Sequence, residues 1–261
     1  MNRFCTAALL IWGTAAFAQA QNDPSKIVEA VEQQTMGRDL SLKAVFEVYP
    51  PSGAKQQKRV EVLERNTDGV HRVLVRFLSP PEWAGLTLLA ITGDGVFKKQ
   101  WIYTPATNRA RPMGERDQAE SFAGTDFTYE DLQPAPAAAF TYKLLSSSEV
   151  IEGHAAYKLE GRQKNGTTSQ YAYSYYWIAQ DVPCILFKEM YSAQGQRLRT
   201  LKASQLKKVS GVWGARRLEM RTMATNSRTV LTIEEAKFDR GLASSLFTPE
   251  ALEHASETSA K

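Results

Sequence analysis

The sequence has few of the residues from which catalytic and metal sites are built. It contains three histidines, at positions 71, 154 and 254, and no two of them have the spacing of metal ligands. It also has no G-x-S-x-G elbow, no phosphate-binding loop and no G-x-G-x-x-G motif. These absences favour a binding protein over an enzyme, and they predict neither a metal nor a cofactor.

The first 20 residues are typical of a secretory signal peptide. Arg3 is followed by an apolar run at 7–18 and by small residues that suit cleavage near Ala18 or Ala20. The run is shorter than the roughly 20 apolar residues that a membrane-spanning helix needs. We therefore expect residues 1–20 to be cleaved and the mature chain to be exported.

Cysteine is nearly absent from the expected mature chain. Cleavage would remove Cys5 and leave Cys184 alone, so no internal disulfide is predicted. A chain of about 240 residues is long enough to fold on its hydrophobic core as one domain. Cys184 lies in an apolar, strand-like stretch, which predicts a buried and unreactive thiol.

No part of the chain concentrates positive charge. The 32 lysines and arginines and the 28 acidic residues are spread along the sequence. Nucleic-acid-binding proteins show a basic patch or stripe, so no nucleic-acid partner is expected. The mild basic excess is compatible with transient contact with an anionic membrane surface.

Hydrophobic periodicity predicts one helix followed by a long series of strands. Asp23 and Pro24 suit a helix start, and Gly37 suits its end. Between Leu42 and Phe238 the period is two, with turn residues between the segments. The pattern favours a mainly β chain with few helices, folded as a curved antiparallel sheet that forms a half-open barrel. We expect the first helix, an irregular insert at 105–140 and a short helix at 247–252 to cover its concave side.

The motif FAGTDFTYEDL at 122–132 interrupts the strand pattern. It combines three aromatic residues, three carboxylates and a glycine. One interpretation is that Thr125 caps a short helix and that the carboxylates pair with Arg109, Arg111 and Arg116. Another is that Asp126 and Glu130, one helical turn apart, act together on a proton or a cation.

Several segments resemble the outer membrane lipoprotein-sorting proteins of the LolA-like superfamily. The matching segments are VLVRFLSPP (73–81), GLTLL (85–89), WIYTP (101–105), RARPM (109–113), the 122–132 motif, GVW (211–213) and LFTPEAL (246–252). The resemblance spans nearly the whole mature chain. It implies a single LolA/LolB-like half-barrel domain at 21–252, with 105–140 as a lid-like insert. Residues 253–261 are polar and are expected to form a disordered tail.

The resemblance also implies a periplasmic carrier, with no catalytic residues, that shelters lipid acyl chains between the inner and outer membranes. Its cargo would be an acyl lipid or a lipoprotein, received from an inner-membrane transporter, passed to an outer-membrane acceptor and carried by a monomer. The predicted cavity or lid residues are Trp83, Leu86, Leu88, Trp101, Tyr103, Phe122, Phe127 and Tyr129. The residues predicted to position the lid are Arg109, Arg111, Asp126, Glu130 and Asp131.

Two other functions remain open from the sequence. Because related members are associated with inner-membrane export permeases, the chain could be an adaptor or accessory subunit with a filled core. It could also be a periplasmic hydrolase that uses Asp126 and Glu130.

Overall fold

The structure is a computed structural model that describes residues 23–32, 38–67, 69–93, 97–132, 137–164 and 169–258. The predicted signal peptide and Gly37 lie outside these residues. No helix in the described ranges is long and apolar enough to cross a membrane.

Thirteen antiparallel strands make up a single sheet in the described part of the chain. They are β1 (Asp39–Tyr49), β2 (Gln56–Thr67), β3 (Val70–Ser79), β4 (Thr87–Gly93), β5 (Phe97–Thr104), β6 (Arg109–Pro112), β7 (Phe140–Ile151), β8 (His154–Gln163), β9 (Tyr173–Ala179), β10 (Ile185–Tyr191), β11 (Arg197–Val209), β12 (Val212–Thr222) and β13 (Ser227–Phe238). The predicted class, a mainly β chain with a curved antiparallel sheet, is confirmed.

The strand order shows how the sheet is assembled. It runs β6-β5-β4-β3-β2-β1-β13-β12-β11-β10-β9-β8-β7. The chain therefore moves outward from β1 to one edge at β6, crosses to the other edge at β7, and returns inward to β13. Among the thirteen strands that the structure describes, only the pairing of β1 with β13 joins strands that are distant in sequence, with Leu40 opposite Phe238. The residues between β6 and β7 consequently link the two edges of the sheet.

One stretch of this link, residues 113–132, lies on one face of the sheet, and we call it the inner segment. Its hydrogen bonds reach Lys58 on β2, Gln100 on β5, Thr229 on β13 and Arg199 on β11. Asp126 and Tyr129 are only three residues apart, about 10 Å of chain at most, yet they bind β11 and β5, which are seven strand spacings apart in the sheet. The sheet must therefore curve around the segment. This face is therefore the concave one, and we call it the inner face.

Two helices cover opposite faces of the sheet. Helix α1 (Pro24–Glu32) packs Ile27 and Val28 on the inner face of β8 and β9. Its start is capped by the Asp23 carboxylate, which accepts a hydrogen bond from the Ser25 nitrogen at 2.9 Å. Helix α2 (Pro249–Thr258) buries Leu252, together with Phe247, against the other face of β3 to β5. The expectation that the C-terminal helix covers the concave side is therefore wrong, whereas α1 and the inner segment do cover it.

Two predicted boundaries also change. Residues 105–112, placed in the lid-like insert, form a 3-10 turn and the edge strand β6, because Arg109–Pro112 pair with Trp101–Thr104. Residues 253–258, placed in the disordered tail, belong to α2, where the Glu253 carboxylate accepts a hydrogen bond from the Ala110 nitrogen at 2.8 Å. That contact holds the helix against the β6 edge.

Cys184 is partly buried beside Trp177 and Phe187 on the outer face of β9 and β10. Burial raises the pKa of its thiol to about 11, so the thiol is protonated at neutral pH. The predicted unreactive thiol agrees with this environment, since the thiolate is the reactive form.

Candidate functional site

The inner segment places two phenylalanines in the centre of the sheet's inner face. Phe122 is fully buried, and its ring centroid lies 5.2 Å from that of Phe77 on β3 and 5.3 Å from that of Tyr129. Phe127 packs edge-on against Phe46 of β1 at 5.6 Å. Aromatic rings at these separations interact favourably beyond the area that they bury. The inner segment is thus held to the sheet by an aromatic cluster.

Six of the eight predicted cavity residues belong to this inner-face cluster. Leu88, Phe122 and Phe127 are buried in it, and Trp83, Leu86 and Tyr129 are partly buried against it. They meet because β4 and the turn between β3 and β4 lie under the inner segment. Whether these residues bind a ligand stays a prediction.

Trp101 and Tyr103 lie elsewhere, which corrects their assignment to the same cavity. Alternate residues of a strand point to opposite faces, and Ile102 is the residue of this stretch that joins the inner cluster. Trp101 and Tyr103 therefore face outward, where they pack in the cluster that contains Phe247 and Leu252.

The backbone of the inner segment turns sharply just after Phe122. Ala123 and Gly124 both have positive φ angles, 50° and 70°. The left-handed conformation costs a non-glycine residue about 1 kcal/mol or more, so Ala123 is held there by its surroundings. Thr125 ends this turn, and its hydroxyl donates to the Phe122 carbonyl at 2.7 Å. The prediction that Thr125 begins a helix is therefore wrong.

Lys58 is a buried cation on the inner face. It is 1% exposed, and its side chain lies on the same inner side of β2 as those of Val60 and Val62. Its ammonium group donates a hydrogen bond to the Ala123 carbonyl and lies 4.2 Å from the centroid of the Trp83 ring. Sequence reasoning missed Lys58, although the period of two along β2 already places it on the apolar face.

Asp126 fastens the inner segment to β13. Its side chain is buried, and its two carboxylate oxygens accept hydrogen bonds from the hydroxyls of Ser227 and Thr229, the latter at 2.7 Å. The Asp126 nitrogen donates back to the Thr229 hydroxyl at 2.9 Å, and the Arg199 guanidinium donates to the Asp126 carbonyl at 3.2 Å. The Asp126 carboxylate is thus bound by neutral hydroxyl groups, and Arg199 binds the backbone carbonyl of this residue.

The other two carboxylates of the motif are bound near the start of β9. The Tyr171 hydroxyl donates to Asp131 at 2.9 Å, and burial raises the pKa of that hydroxyl above its usual value. Glu130 accepts a hydrogen bond from the Gln170 nitrogen at 3.1 Å. All three carboxylates therefore hold the inner segment in place, each at a different point.

The predicted partners of these carboxylates need correction. Arg109 and Arg111 are exposed, and the ion pair that Arg111 makes is with Asp117, at 4.0 Å. Asp126 and Glu130 are not on one helix, because Asp126 lies between two 3-10 turns and Glu130 begins the second of them. Asp126 binds β13, and Glu130 binds Gln170, three residues before β9. The residues missed were Lys58, Arg199, Gln170, Tyr171, Ser227 and Thr229, which are distant from the motif in sequence.

The burial of Lys58 predicts a pH dependence of stability. Desolvation lowers the pKa of its ammonium below the ordinary 10.5, with the charge of Glu82 opposing the shift. Between the lowered pKa and 10.5, the unfolded chain binds more protons than the folded chain. The contribution of Lys58 to the free energy of unfolding therefore increases as the pH rises. We expect the unfolding free energy of the native protein, minus that of a Lys58→Met variant, to increase from pH 7 towards pH 10. Denaturant titrations across this range measure the difference, and a flat difference would contradict the burial.

Comparisons with known proteins place the chain in a family. A family model described as “Uncharacterized protein”-like matches residues 69–254. The chain belongs to this family. No curated protein matches it in sequence.

Solved structures identify the fold of this family member. A Vibrio parahaemolyticus domain named for outer membrane lipoprotein sorting superposes with a TM-score of 0.82 at 21% identity, over 88% of this chain and 98% of that one. A DUF1329 family protein from Desulfovibrio piger gives 0.84 at 22% identity, over 88% and 99%. A LolA superfamily protein from Nitrosomonas europaea gives 0.69 at 17% identity, over 88% and 99%. The fold is LolA-like, as the resemblance implies.

Proposed function

We propose that the protein is a periplasmic carrier for the acyl chains of a lipid or lipoprotein in transit between the inner and outer membranes. The observation that supports it best is the packing of Phe122 and Phe127 against the apolar inner face. Both residues belong to the inner segment, which is not one of the strands of the sheet. An acyl chain and this segment would compete for the same apolar surface. The fold shared with a domain named for lipoprotein sorting supports the same proposal.

The energetics of transfer require such a surface. An acyl chain of about 16 carbons loses on the order of 12 kcal/mol of favourable contact when it moves bare into water, at ~0.8 kcal/mol per CH₂. Displacing the inner segment costs its aromatic contacts and the hydrogen bonds of Asp126 and Asp131. In this proposal the segment acts as a plug that cargo replaces, and the exchange of one apolar contact for another keeps the net change small.

The test is lipid capture by the purified protein. The protein is purified without detergent, and one portion is extracted with organic solvent and analysed by mass spectrometry. A second portion, delipidated on a hydrophobic resin, is titrated with a fluorescent fatty acid. We expect copurified acyl lipids and near-stoichiometric uptake. A Phe122→Ala variant, whose plug is weakened, should bind more tightly than the native chain.

A second candidate is favoured by the tight attachment of the inner segment. Its buried hydrogen bonds and aromatic packing also suit a protein with a permanently filled core, which would serve as an adaptor of an inner-membrane export permease. Absence of lipid in the extract, together with absence of uptake by both the native and the Phe122→Ala proteins, would favour the adaptor and contradict the carrier.

A further inference from the structure

Lys58 is placed unusually for a lysine in this protein. The structure gives its buried ammonium two neighbours, the Ala123 carbonyl and the face of the Trp83 ring. Among the described residues, no carboxylate lies within ion-pair distance of Lys58, and Glu82, whose charge acts on it, is exposed. A buried charge without a counter-ion is costly unless it is fully hydrogen-bonded.

Within the part of the chain that the structure describes, the hydrogen-bond acceptor of Lys58 belongs to the inner segment. The strained Ala123 conformation directs its carbonyl at the ammonium, and a Cβ added at the neighbouring Gly124 would lie only 3.6 Å from the Lys58 nitrogen. Displacement of this segment would therefore remove the acceptor from a cation that the sheet still buries. The occupant that replaces the segment at the lowest cost is one that brings an acceptor of its own, and an oxyanion is the strongest.

The position of Lys58 also suits the head of an elongated ligand. It lies near the beginning of β2, next to the β3–β4 turn that holds Trp83, and is thus at the rim of the inner face. Val60, Val62 and Val75 continue inward from it on the same face. Four residues of strand span about 13 Å, so an acyl chain could extend along β2 from a head group at the rim.

We propose that this site binds an amphiphile with a single negatively charged oxygen head group, a carboxylate or a phosphate ester, with the head on Lys58 and the acyl chain along the inner face. The proposal rests on the proposed carrier function and adds the charge of the cargo to it. Neutral acyl lipids would bind the same apolar face without the ionic contact.

Paired ligands with the same acyl chain, one with an anionic head group and one with a neutral head group, test the site. Oleate is compared with methyl oleate, and oleoyl lysophosphatidylglycerol with monooleoylglycerol, each below the concentration at which it aggregates. One hydrogen bond between charged groups changes affinity roughly 10- to 100-fold, so we expect the native protein to prefer the anionic member of at least one pair by that factor. The pair that shows the preference distinguishes a carboxylate from a phosphate head group.

Variants then assign the preference to Lys58. Lys58→Met should bind both members of a pair alike, and Lys58→Arg should keep the preference. The matched control is Lys55→Met, which removes an exposed lysine paired with Glu47 and should leave the preference unchanged.

Each remaining outcome counts against a specific claim. If the native protein binds charged and neutral ligands equally, the head-group site is wrong while the carrier proposal stands, and this comparison does not depend on whether any variant folds. A preference that persists in Lys58→Met would also overturn the site. If no acyl ligand binds, the carrier proposal fails and this inference fails with it.

Discussion

Replacing Phe122 with alanine is expected to lower the free energy of unfolding by about 3–5 kcal/mol, the usual cost of removing a buried aromatic side chain from a core. Phe122 is fully buried and contacts rings from both the sheet and its own segment. The loss should be measured by denaturant titration monitored by circular dichroism. If the inner segment detaches before the sheet unfolds, the titration will show two transitions, and the first will be the one that shifts.

The matched control is Leu78→Ala, on the strand that carries Phe77. Leu78 is 48% exposed, so its truncation should change stability by less than about 1 kcal/mol. A Phe122→Ala protein as stable as this control would mean that the aromatic cluster does not hold the segment to the sheet.

Removing the Asp126 carboxylate is expected to have the second large effect. Asp126→Ala leaves the buried Thr229 hydroxyl and the partly buried Ser227 hydroxyl without this acceptor, and hydrogen bonds to a charged group contribute about 1.5–3 kcal/mol each. We expect a loss of about 3 kcal/mol. Thr229→Val should also destabilise, because it leaves the buried carboxylate short of a donor. Since the two residues act on each other, the double variant should lose less than the sum of the single losses, by roughly 1–2 kcal/mol.

Asp117→Ala is the control for the Asp126 and Thr229 variants. Asp117 is in the same segment but partly exposed, and its contacts are the Gly114 nitrogen at 3.0 Å and Arg111. Its removal should cost no more than about 1 kcal/mol. Strict additivity of Asp126→Ala and Thr229→Val would contradict the hydrogen bonds between the two side chains.

The sheet was predictable because its cause is local. Val73, Val75 and Phe77 alternate with Arg72 and Arg76, and such alternation specifies which face each residue occupies. The same rule applied to Ile102 would have placed Trp101 and Tyr103 on the opposite face, so their misassignment came from grouping residues by type. Strand β6 was not predicted because its sequence, Arg-Ala-Arg-Pro, has no apolar alternation. It is a strand only through its pairing with β5.

The contacts of the inner segment were not predictable in the same way. The arginines close to the motif in sequence, Arg109 and Arg111, were natural partners for its carboxylates. Curvature of the sheet instead brings Thr229 and Tyr171, residues from the other half of the chain, to Asp126 and Asp131. Nothing in the local pattern of either half reports how far a sheet curves, since that depends on the summed twist of all its strands.

The central pairing of β1 with β13 has a consequence for how the chain folds. Every other neighbouring pair in the sheet joins consecutive strands, so each half of the sheet can assemble from local contacts. Strand β1 is the first to be synthesised, but its second neighbour is the last. One edge of β1 therefore stays unpaired until β13, the last strand of the sheet, has been synthesised. Pairings of such long range form slowly, and an open edge invites association with other chains. The most interior seam of the finished sheet is thus the one most exposed to misassembly while the protein is being made.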